Sequence, residues 1–171
     1  MIYVMDKRLK KICIEIGEIL TKRGETLSTA ESCTAGQIAT AITGIPGSSA
    51  YYKGGIVCYS NEIKIKYLGV PTQILQEKGA VSKEVVTAML HGVIKGMNTT
   101  YAIAVTGYAG PGGGEEAEVG TIWIACGNTD NNIVYQQQGD DGREENLKKA
   151  TQTALENLLK LIKMTDTSIN M

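Results

Sequence analysis

Between Thr29 and Lys66 the chain gathers hydroxyls, a thiol, a carboxylate and lysines at points where strands should stop and helices should start. Thr29-Ala30-Glu31-Ser32-Cys33-Thr34-Ala35-Gly36 is followed by an apolar run and then by Gly47-Ser48-Ser49-Ala50-Tyr51-Tyr52. The stretch closes with Tyr59-Ser60-Asn61-Glu62-Ile63-Lys64-Ile65-Lys66. In an open α/β sheet such edges are where ligands bind. Ser32 follows an expected strand and opens an expected helix. A turn there exposes the hydroxyl, and the N–H groups of the next residues can stabilise a developing oxyanion, helped by the helix dipole. Ala-Glu-Ser-Cys-Thr is not a G-x-S-x-G elbow, so Ser32 or Thr34 serves equally well as a plain helix cap. Cys33 is the rival nucleophile and is intrinsically better at neutral pH; the alternative for it is a small buried thiol beneath the turn.

A reacting Ser32 needs a proton acceptor. His91 is the only histidine, and it falls off the apolar stripe of its helix, on a solvated face. Any Ser-His-Asp triad would have to use it. Lysine is left. Lys64, near a helix start, becomes a base if burial and the positive helix end disfavour the ammonium. Lowering a lysine from about 10.4 to about 7 costs on the order of 4–5 kcal/mol. A closed, dry pocket can impose that, whereas an exposed helix face leaves Lys64 and Lys66 as solvated charges. Tyr59 either relays a proton or stands as a core-edge tyrosine. Further along, Thr106–Gly114 is a glycine-rich loop after a buried strand, and its N–H groups can cradle a phosphate or carboxylate. No Gly-Lys-Ser/Thr follows, so it is no P-loop. Arg143 can meet an anionic group bidentately, or remain an ordinary surface arginine.

The elements that must position these groups follow from periodicity. Leu9, Ile12, Cys13, Ile16, Ile19 and Leu20 make one stripe of a helix over 7–23. Thr26–Ala30 reads as a strand, Gln37–Thr43 as a helix, and Gly55–Ser60 as a second strand. Ser60 caps a helix through Leu68, with Thr72 and Ser82 as further N-caps. Tyr101–Val105 is a continuous apolar run, the pattern of a buried central strand. Thr121–Cys126 and Ile133–Gln137 form a hairpin. Glu144–Met164 is the last helix, and Thr165–Met171 a frayed tail. Strands interleaved with helices imply a three-layer α/β/α sandwich, with a mixed, mostly parallel sheet.

Bulk properties narrow the field. A length of 171 residues favours a single domain spanning 1–171, large enough to bury a core unaided. The net charge of −1, with both signs interspersed, shows no basic face for nucleic acid. No apolar run approaches the roughly 20 residues of a membrane span, and no signal peptide is evident. A cytoplasmic protein without nucleic-acid or membrane partners is expected. Cys13, Cys33, Cys58 and Cys126 form no C-x-x-C pair, and a reducing cytosol keeps them as thiols. With one histidine, a zinc site would need carboxylates or the scattered cysteines instead of histidines; neither metal nor cofactor is expected.

Five motifs in register carry a family resemblance: Ala30-Glu31-Ser32-Cys33-Thr34-Ala35-Gly36, Gly47-Ser48-Ser49-Ala50-Tyr51, Gly55–Lys64 ending in Tyr-Ser-Asn-Glu-x-Lys, Gly79-Ala80-Val81-Ser82, and Thr106-Gly107-x-Ala109-Gly110-Pro111-Gly112-Gly113. From about Leu9 to Leu161 the chain resembles the C-terminal domain of competence/damage-inducible protein A (CinA), which also occurs alone as nicotinamide-nucleotide amidase. The resemblance implies hydrolysis of nicotinamide mononucleotide to nicotinate mononucleotide and ammonia by a serine/lysine amidohydrolase without metal. It implies Ser32 as nucleophile and Lys64 as general base, with Tyr59 beside it. It also implies a substrate-binding set of Glu31, Cys33, Thr34, Gly36, Ser48, Ser49, Thr106, Gly107, Ala109, Gly110, Gly112 and Arg143, a small-molecule nucleotide substrate, and a homodimer. The chain departs from its relatives before the last helix and after the glycine loop, and a second basic residue expected a turn after Arg143 falls near Leu147 or Lys148. Asp140-Asp141-Gly142-Arg143 replaces Gly-Asp-Arg before the last helix, and Ala117-Glu118-Val119-Gly120 replaces Lys-Pro-Val-Gly after the glycine loop. The second change belongs to an acidic cluster of Glu115, Glu116 and Glu118, unfavourable beside a phosphate unless it points outward. These departures motivate the alternative of a catalytically silent nucleotide-binding module.

Overall fold

The computed structural model describes residues 5–114 and 117–169, the last four of these by backbone only. Helix α1 (Lys7–Arg23) starts where the Asp6 carboxylate accepts the Leu9 N–H at 2.8 Å, and it buries Leu9, Ile12, Cys13, Ile16 and Leu20. Strand β1 (Leu27–Glu31) is buried throughout. Helix α2 (Gln37–Thr43) and a 3-10 turn at Ser48–Ala50 lead to strand β2 (Tyr52–Val57). Then come α3 (Asn61–Leu68), α4 (Thr72–Lys78), α5 (Lys83–Met97) and strand β3 (Tyr101–Gly107). Strands β4 (Ile122–Gly127) and β5 (Asn132–Gln137) form the expected hairpin, and α6 (Arg143–Ile169) ends the described chain.

The sheet runs β2-β1-β3-β4-β5. β1 is parallel to both neighbours, β4 is antiparallel to β3, and β5 is antiparallel to β4. Only β4 therefore opposes the common direction. On one face α1, α2 and α6 cover Leu27, Ile103, Val105, Ile122 and Ile124. On the other, α3, α4 and α5 cover Ala30, Ala102, Ala104 and Ala125. The alanines let α5 lie close to the sheet, and its Val86, Met89, Leu90 and Val93 supply the bulk. Each fully buried aliphatic side chain stabilises the fold by roughly 1.5–3 kcal/mol. Three layers thus form around a mixed sheet, with aliphatic cores on both faces.

Two close approaches matter for the site. A Cβ on Gly92 of α5 would collide with the Leu68 carbonyl at the end of α3, so glycine there sets how near α3 sits. A Cβ on Gly55 would collide with the Thr29 hydroxyl, which is hydrogen-bonded to the Tyr52 hydroxyl at 2.8 Å.

Some boundaries differ from expectation. β1 lies one residue later than expected and includes Glu31. β2 begins at Tyr52, earlier than the expected Gly55, because its pairing with β1 is fixed from Leu27–Tyr52 to Glu31–Val57. It stops at Val57, and the Cys58 N–H makes the last link, to the Glu31 carbonyl at 2.8 Å. Pro71, with no side-chain acceptor, stands at the cap of α4, so Thr72 is the first helical residue and no cap. Ser82 does cap α5, accepting the Val85 N–H at 3.3 Å. α6 opens one residue early, at Arg143, and stays helical through Ile169, past the expected end at Met164; residues 170–171 of the expected tail lie outside the described residues. No helix among the described residues is long and apolar enough to cross a membrane.

Candidate active site

The chain leaves β1 toward β2 and leaves β3 toward β4. Neighbouring strands whose connections depart in opposite directions open a crevice at their C-terminal ends. Ser32 follows β1 directly, and its N–H bonds the Val105 carbonyl of β3 at 2.9 Å. The turn is locked from behind by Glu31. One carboxylate oxygen accepts the N–H groups of Gly36 at 3.0 Å and Ile38 at 3.1 Å, and the other accepts that of Ala39 at 2.8 Å. A carboxylate thus occupies the N-terminus of α2, where the helix dipole favours negative charge. Glu31 is buried, and its oxygens are committed to the helix rather than the pocket.

Lys64 enters from α3. The Ser60 hydroxyl caps that helix, accepting the Ile63 N–H at 3.3 Å, and Lys64 and Leu68 share its buried side. Lys64 is only 2% exposed. Its Nζ lies 3.1 Å from Ser32 Oγ and donates to the Cys58 carbonyl at 2.8 Å. Burial pulls its pKa below the ordinary lysine value, with the nearby Cys58 and Cys33 thiols opposing weakly. None of the ion pairs among the described residues involves Lys64. A buried ammonium without a carboxylate is costly, so the neutral amine is favoured. Neutral, Nζ offers a lone pair to the Ser32 hydroxyl.

Cys33 is a poor rival. Burial pushes its thiol up to about 12, despite the backbone N–H groups of Cys33 and Thr34 beside the sulfur. The thiolate is the nucleophilic form, and it is suppressed here. Those two N–H groups are bonded to no carbonyl among the described residues, in contrast to the N–H of Ser32. His91 is exposed on α5, as its off-stripe position suggests.

Ser32, Cys33, Tyr59 and Lys64 line one side of a cavity of about 260 Å³; Thr106, Gly107, Ala109, Gly110, Gly112 and Arg143 line the other. That volume is near the lower end of small-molecule sites, about 300 Å³. Tyr59 stands at the rim, 63% exposed, with no hydrogen bond to Ser32 or Lys64. The Thr106 hydroxyl donates to the Ala80 carbonyl at 2.9 Å, bringing Ala80 and Val81 into the wall. Arg143 Nη1 donates to the Gly110 carbonyl at 2.6 Å. Lys64 and Arg143 are the cationic side chains of the lining, and no carboxylate among the described residues belongs to it. Glu118 is exposed; Glu115 and Glu116 lie outside the described residues.

Five residues expected in the pocket are not in its lining: Glu31, Thr34, Gly36, Ser48 and Ser49. Glu31 and Gly36 are bonded to each other, and Thr34 is fully buried with its hydroxyl unpartnered. Ser48 and Ser49 sit in the 3-10 turn just before β2. That turn meets the sheet where the Leu27 N–H bonds the Tyr51 carbonyl, at the N-terminal end of β1. It lies a strand length from Ser32. Conversely Asn61, Ala80, Val81, Tyr108 and Pro111 line the cavity without having been singled out. Asn61 carried a signal, since three residues before Lys64 is one helical turn on the same face.

The chain matches known proteins over most of its length. The CinA C-terminal domain family model covers residues 9–162. A nicotinamide-nucleotide amidohydrolase PncC of Pseudomonas putida is 43% identical over 151 residues, 88% of this chain and 94% of that protein. A putative competence-damage inducible protein of Halothermothrix orenii is 42% identical over 151 residues; the match takes 87% of this chain but only 37% of that longer protein. The crystal structure of a competence/damage inducible protein, CihA, from Agrobacterium tumefaciens superposes with a TM-score of 0.89 at 39% identity, covering 94% of this chain and 99% of that one.

Proposed function

The chain belongs to the family of CinA C-terminal domains, and on that premise we propose that it is a nicotinamide-nucleotide amidase working through Ser32 and Lys64. The observation that carries this reading is the buried Lys64 amine, 3.1 Å from the Ser32 hydroxyl and paired with no carboxylate among the described residues. The similarity to a nicotinamide-nucleotide amidohydrolase over nearly its whole length supports the choice of substrate.

Ser32 Oγ attacks the carboxamide carbon of nicotinamide mononucleotide while its proton passes to Lys64 Nζ. The carbonyl oxygen becomes an oxyanion, and the N–H groups of Cys33 and Thr34, adjacent to Ser32 and bonded to no carbonyl among the described residues, receive it. The C–N bond breaks as Lys64 returns the proton to the departing nitrogen, releasing ammonia and leaving a Ser32 ester. Water then attacks the ester and gives a proton to Lys64, which passes it to Ser32 Oγ as nicotinate mononucleotide departs. The Cys58 carbonyl orients the amine throughout. Arg143 and the N–H groups of the 107–112 loop hold the phosphate end. Tyr59 at the rim covers the substrate and transfers no proton.

The test is ammonia release from nicotinamide mononucleotide by the purified chain. Wild type should turn over with or without a chelator, since the scheme calls for no metal. Ser32→Ala should lose activity by about 10³-fold or more while keeping its melting temperature within a few degrees. Undiminished turnover by that variant would eliminate the assignment. Thermal stabilisation by the nucleotide without turnover in wild type would favour the silent binding module instead.

A further inference from the structure

Asn146 is uncharged, does not line the cavity, and is completely buried one turn into α6. Its side-chain amide has two N–H donors and an acceptor oxygen, and all three groups are bonded. Nδ2 donates to the Ala109 carbonyl at 3.1 Å and to Asp140 Oδ1 at 3.0 Å, and Oδ1 accepts the Asp141 N–H at 3.1 Å. Turning the amide over would set its oxygen against a carbonyl and a carboxylate, so the network fixes its orientation. The Asn146 backbone joins in. Its N–H bonds the Gly142 carbonyl at 2.9 Å, and its carbonyl accepts Gln137 Nε2 at 3.0 Å. One residue thereby ties together the end of β5, the 139–142 loop and the pocket loop after β3.

The pocket loop needs such ties. Residues 107–114 include five glycines, and glycine loses more conformational freedom on ordering than any other residue. Two consecutive carbonyls of this loop, those of Ala109 and Gly110, are held by two side chains from the first turn of α6, Asn146 and Arg143. The spacing i, i+3 puts both on one helix face.

We propose that Asn146 is a positioning residue for the nucleotide end of the site: it holds the 109–112 loop and the Arg143 guanidinium in the arrangement that receives the anionic part of the substrate. It touches neither Ser32 nor Lys64. Its loss therefore weakens substrate capture and leaves the chemical step nearly intact. The inference rests on the amidase reading for the identity of the substrate.

The experiment measures KM and kcat for nicotinamide mononucleotide, and the thermal shift the nucleotide produces, in wild type, Asn146→Ala and Asp140→Ala. Asp140 is exposed, so its truncation removes one Nδ2 acceptor, together with the acceptor of the Gly142 N–H, without opening the core. Asn146→Ala should raise KM about tenfold or more with kcat within about threefold, the signature of lost binding common to ground and transition state. Asp140→Ala should raise KM about threefold. An unchanged KM in folded Asn146→Ala, or a loss confined to kcat, overturns the proposal. Should Asn146→Ala fail to fold, an unchanged KM in Asp140→Ala overturns it. Wild type that binds the nucleotide but releases no ammonia defeats the amidase reading alone. The thermal shifts then decide, and an equal shift in wild type and Asn146→Ala overturns the positioning role.

Discussion

The two walls of the cavity are built by opposite means. The Ser32–Lys64 wall hangs on regular structure: a strand end, two helix starts and a buried carboxylate. Glu31 fixes the turn, the β1–β3 ladder fixes Ser32, and the α3 cap with the Gly92 contact fixes Lys64. The wall after β3 has no regular structure from Tyr108 to Thr121 among the described residues. Side chains reaching from α6 to its backbone carbonyls hold it. A reaction centre needs groups placed within a few tenths of an ångström before the substrate arrives. A binding loop needs to accept a flexible phosphate. The contrast leads to a kinetic division, with damage to the first wall appearing in kcat and damage to the second in KM.

Lys64→Met gives the largest effect after loss of Ser32 itself. Ammonia release should fall about 10³-fold or more, because the proton acceptor is gone while the stem's packing is kept. The same variant separates chemistry from stability. The Lys64 pKa is lowered in the fold, so between that value and the ordinary 10.5 the unfolded chain binds more protons than the folded one. Stability from this group therefore rises with pH across that window and is lost as pH falls through the folded pKa. Urea melts at increasing pH up to the ordinary lysine value of 10.5 should show that slope in wild type and a flatter profile in Lys64→Met. Wild-type kcat/KM should rise with pH up to the folded Lys64 pKa, as the amine loses its proton, and level off above it. A wild-type rate that falls as the amine deprotonates would break the base assignment.

Glu31→Gln comes next. It leaves one acceptor oxygen for three N–H groups and sets an NH₂ against one of them. A buried hydrogen bond to a charged group lost in this way is worth about 2 kcal/mol, and the melting temperature should drop by roughly 4–8 °C. Here kcat should fall about tenfold with KM nearly constant, the mirror image of Asn146→Ala. A KM effect from Glu31→Gln would erase the division between the walls. Cys33→Ala is the smallest change, within about threefold in kcat, since a thiol held up at about 12 carries almost no thiolate at neutral pH. A loss exceeding that of Ser32→Ala would transfer the nucleophile to Cys33.

The difference between the walls also explains what could be read from the amino-acid order. The amphipathic stripe of α1, the apolar run of β3 and the β4–β5 hairpin follow from periodicity, and they locate the C-terminal strand ends where Ser32 and Lys64 meet. Elimination brought those two into view because a single off-stripe histidine left lysine as the base. Glu31 showed as a conspicuous carboxylate, but whether it faces ligand or helix depends on the turn's three-dimensional closure. Ser48 and Ser49 read as site residues from motif likeness, yet the parallel register of β1 and β2 carries their turn to the opposite end of the sheet. Asn146 gave no signal at all. A single asparagine inside a helical pattern looks like weak propensity, and its side-chain partners, Ala109 on one side and Asp140 and Asp141 on the other, lie in two segments that only folding brings together.

The most direct test of the Ser32–Lys64 pair is acid quench of the chain during turnover of nicotinamide mononucleotide, followed by intact-mass and peptide mass spectrometry. The nicotinate mononucleotide acyl group should be found as an ester on Ser32, absent from Ser32→Ala and greatly reduced in Lys64→Met. An adduct on Cys33, or one that persists in Ser32→Ala, would contradict the mechanism.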